Sequence, residues 1–427
     1  MKKTVSISTL GCRVNQYESQ AIIELLEEYG VKVQPDTEVS SVYIINTCTV
    51  TAESDRKSRQ LIRRLRKLNP DGKIIVTGCM AQRSSEEAIA AGADYTCGNR
   101  NKLDAARAAL RLLDGIDPDN TAIVYPPDDL PFETMSITRF SRTRAYLKIE
   151  DGCDGKCSYC IIPKVRGNVV SKPRADVIAE AKAIVKGGCR EIVFTGIETS
   201  AYDDGLVELL CELDTIEGLE RIRLGSLDPS FMRPKNVDVM AGLEKVMPHF
   251  HLSMQSGSDR VLKLMRRRYS RTMALEYFDH IREVMPHANI TTDIMTGFPG
   301  ETDEDHADTL EFARLARFLH IHIFTYSRRP GTEAAEMPDL PQTVKDKRAA
   351  ELAALQRSIK AELLDGTIKN GNVKVLFETY DKKSGMYVGH SENFTEFAAK
   401  SDCDIRNMTL DVKGISHNGD IITGEIV

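Results

Sequence analysis

The chain has 427 residues, 41% of them hydrophobic and 28% charged, the ordinary globular mix, and only ten cysteines, too few for a disulfide scaffold. Lys and Arg total 57 against 63 Asp and Glu, a net charge of −6, which excludes a globally basic nucleic-acid coat but not a local basic patch. No apolar run reaches the ~18 residues of a membrane span, and the start, Met1-Lys2-Lys3, lacks the apolar stretch of a signal peptide, so a cytoplasmic protein is expected, with no membrane partner and with clustered cysteines meaning metal or catalysis.

Hydrophobic periodicity predicts strands at 5–9, 42–45 and 73–77, alternating with helices at 15–29, 51–68 and 84–91, a βαβα pattern that implies a parallel sheet covered on both faces. Asp117-Pro118 and the proline-bounded run 126–131 read as a linker. Six further strands follow, at 145–149, 191–195, 221–225, 251–254, 290–295 and 320–325, most of them followed by helical patterns. Six β/α units are too few to close an eight-stranded barrel, so an open, partial one is expected. Its last helix, 344–364, is expected to stop at Asp365-Gly366. Short β-like runs at 373–377, 386–389 and 421–426 predict a small all-β barrel. The expected fold is therefore α/β: an N-terminal open parallel sheet (1–136), a central partial (β/α)6 barrel (137–365) and a C-terminal small β-barrel (366–427).

Cys153, Cys157 and Cys160 lie in Asp151-Gly152-Cys153-Asp154-Gly155-Lys156-Cys157-Ser158-Tyr159-Cys160, just past the first strand of the central region. Three thiolates on one tight loop can hold a 4Fe-4S cluster with one iron left open for a ligand. The alternative is zinc, which normally wants a fourth ligand. Tyr159 is placed to cover a bound nucleoside. Cys12, Cys48 and Cys79 are far apart in sequence, yet each directly follows a predicted parallel strand, where ligands of open sheets sit. A second three-cysteine cluster is expected there, three unrelated core cysteines being the alternative. Cys97 is expected to be a packed bystander, and Cys189, Cys211 and Cys403 to be buried, small apolar side chains.

The Cys-x-x-x-Cys-x-x-Cys loop resembles the radical SAM signature. The combination of both cysteine sets with a small β tail resembles, over essentially the whole chain, the radical SAM methylthiotransferase family. The resemblance is nearest to the subgroup acting on threonylcarbamoyl-adenosine of tRNA, through Gly11-Cys12-Arg13-Val14-Asn15-Gln16-Tyr17-Glu18 and Asn46-Thr47-Cys48-Thr49-Val50-Thr51. It implies two 4Fe-4S clusters, S-adenosylmethionine, a tRNA substrate modified at position 37 beside the anticodon, a reductant protein and a sulfur source. It implies no acid or base side chain, the chemistry being carried by the clusters, and an RNA-binding (TRAM-like, OB-type) tail. Family-like stretches at the strand ends make Gly196, Glu198, Ser226, Gln255 and Asp293 candidate cofactor contacts beside Tyr159. Two positions depart from the pattern: Asp228 stands where Glu is usual, and Asn168-Val169-Val170 where Arg-Ser is common. Methylthiolation of isopentenyl-adenosine or of a ribosomal protein, and a non-catalytic iron–sulfur RNA-binding protein, are the alternatives.

The helix at 51–68 carries seven basic residues on one half, Arg59, Arg63 and Arg66 among them, and begins just after Cys48; it reads either as a tRNA-facing surface or as a solvated face. Lys263, Arg266, Arg267, Arg268 and Arg271 invite the same reading. No G-x-G-x-x-G or Walker A pattern is present. His251, His320 and His322 are expected as core or lining side chains.

Overall fold

The computed structural model describes residues 4–140 and 143–427. Strands β1 (Thr4–Thr9), β2 (Lys32–Gln34), β3 (Val42–Thr47), β4 (Lys73–Gly78), β5 (Tyr95–Cys97) and β6 (Ala122–Ile123) form one parallel sheet in the order β2-β1-β3-β4-β5-β6. Helices α1 (Arg13–Glu28), α2 (Ala52–Leu68), α3 (Cys79–Arg83), α4 (Ser85–Ala91) and α5 (Leu103–Leu113) cover it. One face packs Val5, Ile44 and Ile75 under α1 and α5; the other packs Ile45, Ile74 and Val76 under α2 and α4. The six residues of β3 are all buried, as befits a central parallel strand covered on both sides. The expected linker is not bare, since it contributes β6 to the edge of this sheet.

The central region opens with β7 (Arg144–Lys148) and a short antiparallel pair, β8 (Glu150–Asp151) and β9 (Val170–Ser171), that brackets the cysteine loop and α6 (Ile162–Arg166). Then come α7 (Arg174–Lys186), β10 (Glu191–Thr195), α8 (Leu206–Asp214), β11 (Arg221–Arg223), β12 (Ser226–Leu227), α9 (Pro234–Ala241) and β13 (His249–Gln255). After α10 (Asp259–Leu264) and α11 (Arg271–Val284), β14 (Asn289–Thr296), α12 (Asp303–Ala316) and β15 (His320–Thr325) complete it. All of its long strands pair in parallel, as β11-β10-β7 and β12-β13-β14-β15. The expected strand at 221–225 ends at Arg223 as β11, and β12 follows it at Ser226, because the chain breaks at Leu224-Gly225, where a Cβ on Gly225 would lie 2.5 Å from the Phe194 carbonyl oxygen. The result is the expected open arc of six β/α units.

Helix α13 (Gln342–Lys369) does not stop at Asp365-Gly366. A glycine inside a helix costs about 1 kcal/mol, but Leu364 and Ile368 pack into the core of the terminal barrel, and that burial carries the helix on. The barrel is closed, in the order β16 (Asn372–Asp381), β17 (Met386–Ser391), β18 (Glu396–Ala399), β20 (Ile422–Ile426), β19 (Thr409–His417). It is clamped to the central arc by Arg221, which donates to the His390 and Lys374 carbonyls, and by Arg223, which donates to those of Ser391 and Glu392. Among the described residues no helix is long and apolar enough to cross a membrane.

Candidate functional site

Cys12, Cys48 and Cys79 stand at the carboxyl ends of β1, β3 and β4, three neighbouring strands. Gly11 and Gly78 make the turns with φ of +104° and +99°, a backbone only glycine adopts freely. A Cβ on Gly11 would lie 3.2 Å from the Cys48 sulfur, so Cys12 and Cys48 are brought side by side. Burial pushes the Cys48 thiol up to about 11, and repulsion from Cys79 and then Cys12 adds to it. Cys12 is exposed, and Arg166 opposes the upward shift of its thiol. Thiolates here require a positively charged partner, as a bound metal centre would be.

The second cysteine loop leaves β8 at Asp151. The Gly155 N–H donates to the Cys153 sulfur (3.3 Å), Ile162 N–H to that of Cys160 (3.4 Å) and the Arg267 guanidinium to that of Cys157 (3.3 Å). A Cβ on Gly155 would sit 3.0 Å from the Cys153 sulfur, a tight approach that glycine relieves. Burial raises the Cys153 thiol to about 11 and the Cys160 thiol to about 12. Three sulfurs receiving N–H donors fit the ligand set of an iron–sulfur cluster. Among the described residues, no three His, Cys, Asp or Glu side chains close around a single ion. A cavity of about 210 Å³ opens beside the loop, lined by Cys153, Cys157, Glu198, Ser200, Asp228 and Arg267.

The two triads share one interface. Cys79 packs against Ile161 and Val165, directly after Cys160. The Asn99 side chain accepts from the Cys79 thiol (3.9 Å) and donates to the Val165 carbonyl (2.7 Å). Asn15 donates to the Leu10 and Thr47 carbonyls and accepts from Arg166 (2.8 Å), tying two strand ends to the loop after the second triad. Behind them Glu18, fully buried, meets Lys102 (2.9 Å), Lys148 (2.9 Å) and Arg166 (3.2 Å), and Asp151 takes Lys148 (2.7 Å) and Arg166 (2.8 Å). Arg329 closes the rim by donating to Thr49 and Asp55.

Of the candidate cofactor contacts, Glu198 lines the cavity, and its carboxylate accepts from Ser200 and from the Asp228 N–H. Gly196 supports it from beneath, because a Cβ there would overlap the Glu150 carboxylate. The other four stand apart from that cavity. The Ser226 carbonyl accepts from Thr199, and Gln255 is buried at φ +66°. Asp293 pairs with His251 (3.2 Å) inside the arc, where His320 and His322 also line the interior. Tyr159 packs edge-on against Phe298 in an apolar cluster rather than facing the cavity. Arg267 was not singled out by the sequence as a cysteine partner, since a basic run gives no sign of which member turns inward.

Cys97 packs in the core with Ile75 and Tyr95, as expected of a bystander. Cys211 and Cys403, expected to be buried, are exposed, and Cys189 is half-buried; Cys211 is on the outer side of α8, and the other two lie in connections between elements. Within α2, Arg63 is exposed, but Arg66 donates to the Gly72 (2.7 Å) and Gly92 carbonyls and to Asp94, and Arg59 leans on Glu87 (3.5 Å). The wheel placed Arg66 outward without the loops that wrap it. Arg66→Ala is therefore expected to lower stability by about 1 kcal/mol, and Arg63→Ala by almost nothing, as read by urea unfolding. Equal effects would return Arg66 to a solvated face.

A family model described as the radical SAM superfamily matches residues 147–313, and one described as uncharacterized protein family UPF0004 matches 4–98. The threonylcarbamoyladenosine tRNA methylthiotransferase MtaB of Bacillus subtilis is 37% identical, over 96% of this chain and 93% of that protein. Its namesake in Thermotoga maritima is 36% identical over 99% of both. A tRNA-2-methylthio-N(6)-dimethylallyladenosine synthase of Paenarthrobacter aurescens is 36% identical over 84% of this chain and 72% of that protein. Among solved structures, the radical S-adenosylmethionine methyltransferase TsrM of Kitasatospora setae matches in fold with a TM-score of 0.59 and 15% identity, over 78% of this chain and 75% of that one.

Proposed function

Because the chain belongs to the radical SAM methylthiotransferase family, we propose that it places a methylthio group on carbon-2 of N6-threonylcarbamoyladenosine at position 37 of tRNA. The observation that carries this reading is the meeting of two cysteine triads across one interface, Cys79 packing against Ile161, the residue after Cys160. Cys153, Cys157 and Cys160 are the proposed ligands of the cluster that binds S-adenosylmethionine, and Cys12, Cys48 and Cys79 those of the second. When bound, the first cluster supplies the electron that splits S-adenosylmethionine, and the second supplies sulfur.

The chain's own residues orient these groups. Arg267 holds Cys157 by a charge-assisted N–H bond and lines the 210 Å³ cavity together with Glu198 and Asp228, pairing with Asp228 at 3.4 Å. These fit the carboxylate and ammonium of an amino acid. Residues 1–136 form the proposed sulfur-carrying domain, 137–365 the radical domain and 366–427 the RNA-binding barrel. A reductant protein and a sulfur source complete the reaction, in the cytoplasm where tRNA resides. The threonylcarbamoyl substrate is favoured over dimethylallyl because the relatives that align over nearly their whole length carry the threonylcarbamoyladenosine name.

The test is mass analysis of tRNA nucleosides from cells lacking this gene. The expected result is loss of 2-methylthio-N6-threonylcarbamoyladenosine, with its unthiolated precursor accumulating. Loss of the dimethylallyl product instead would overturn the substrate.

A further inference from the structure

Arg13, the first residue of α1, follows Cys12 directly and reaches into the interior of the central arc, over the Tyr146 ring at 5.9 Å from its centroid. It is half-buried, and among the described residues its guanidinium has no hydrogen bond and no ion pair. Its charged neighbours are all committed. Arg144 pairs with Glu378 (2.9 Å), Arg223 with Glu191 (2.8 Å), and Asp293 with His251 (3.2 Å). Arg13 is thus a spare positive charge held away from water, an arrangement that costs free energy until a counter-charge arrives.

Two spaces near it share Arg144 and Tyr146 in their walls. A cavity of about 660 Å³ lies between the start of β7 and the terminal barrel, with Arg144, Tyr146, Glu378 and Asn407 in its wall. Arg144 and Tyr146 also border an inner pocket of about 40 Å³, which Arg13 lines with Val193, His249 and Phe394. The inner one takes only a small tip, and a backbone phosphate with its two sugar attachments does not fit.

We propose that Arg13 determines substrate choice by binding the carboxylate of the threonylcarbamoyl group in the inner pocket. The guanidinium fork matches a carboxylate with two parallel N–H donors. A hydrocarbon substituent in the same place would leave that charge buried and unpaired, so the residue selects for the acid and against dimethylallyl. The inference rests on the proposed function and goes further, assigning the selection to one side chain.

Binding is measured with anticodon stem-loop RNAs carrying threonylcarbamoyladenosine, its carboxamide (which keeps the shape and lacks the negative charge) or plain adenosine. Wild-type protein should bind the carboxylate RNA roughly ten- to a hundredfold more tightly than the carboxamide. Arg13→Gln should abolish that preference while leaving the carboxamide and adenosine RNAs bound as before, and Arg13→Lys should restore part of it. The iron content of each variant reports whether it is folded. A wild type indifferent to the carboxamide change, or an Arg13→Gln protein that keeps the preference, overturns the proposal. So does equal weakening of all three RNAs, which would mean a phosphate contact. Should wild-type enzyme thiolate dimethylallyl RNA and not the threonylcarbamoyl RNA, the substrate reading itself fails. If it thiolates the threonylcarbamoyl RNA and Arg13→Gln still discriminates, only the assignment to Arg13 fails.

Discussion

Protein with Cys12, Cys48 and Cys79 all replaced by alanine is expected to keep cleaving S-adenosylmethionine and to transfer no sulfur. Its iron should fall from about eight to about four per chain, one cluster of two. The reason is that the ligands come from different elements: these three side chains follow β1, β3 and β4, whereas the cofactor cavity is built from the 153–160 loop with Glu198, Asp228 and Arg267. The mirror variant, Cys153, Cys157 and Cys160 to alanine, should also lose about half the iron but stop cleavage altogether. Iron assay and quantified 5′-deoxyadenosine check both. A folded N-terminal triple variant that fails to cleave would end this division of roles.

The second large effect is expected at Glu18. Its carboxylate is buried among Lys102, Lys148 and Arg166, with Asp151 the other anion of the group. Glu18→Gln keeps the volume and removes the charge, stranding buried cations, which costs about 3–5 kcal/mol. That is a large share of the ~5–15 kcal/mol that holds a protein folded. Since Glu18 comes from the N-terminal sheet's helix and Lys148 and Arg166 from the central region, the loss should show in urea unfolding as loosening of the two regions. A cost below ~1 kcal/mol would mean that the network is held by packing. The pH dependence has a defined sign. Burial alone would raise the Glu18 carboxyl, but Lys102, Lys148 and Arg166 outweigh it and hold the group well below its usual 4.5. A depressed carboxyl contributes stability above the unfolded value, and that contribution is lost as pH falls through the folded one. Wild-type protein should therefore lose stability below pH 4.5 more steeply than Glu18→Gln.

The two triads were legible before any coordinates because their signals are local: one is a spacing, the other a repeated place at strand ends. The arc of six strands was legible for the same reason, with strands 191–195 and 320–325 found to the residue. The buried ion network was not, because Glu18 and Arg166 are 148 residues apart and each reads alone as a surface charge. Arg66 misled because a helical wheel shows a side but not the loops over it. In the tail, β19 escaped notice because its alternation is broken by a bulge between Gly414 and Ser416 and by the exposed Ile415. Gly414 itself marks where α13 crosses closely, at 3.1 Å from a Cβ to Ile368.

That crossing has a bearing on where along an RNA the enzyme acts. A tail on a loose tether would sweep a volume and present many nucleotides in turn. Here the tether is the end of a 28-residue helix, about 42 Å of rigid rod, with its last turns sunk into the barrel and two arginines pinning the barrel's far side. If the barrel grips RNA as proposed, the grip and the chemistry are held a set distance apart. The enzyme then works as a gauge, choosing its target by how many nucleotides separate it from the held stem, with no need to read the bases between.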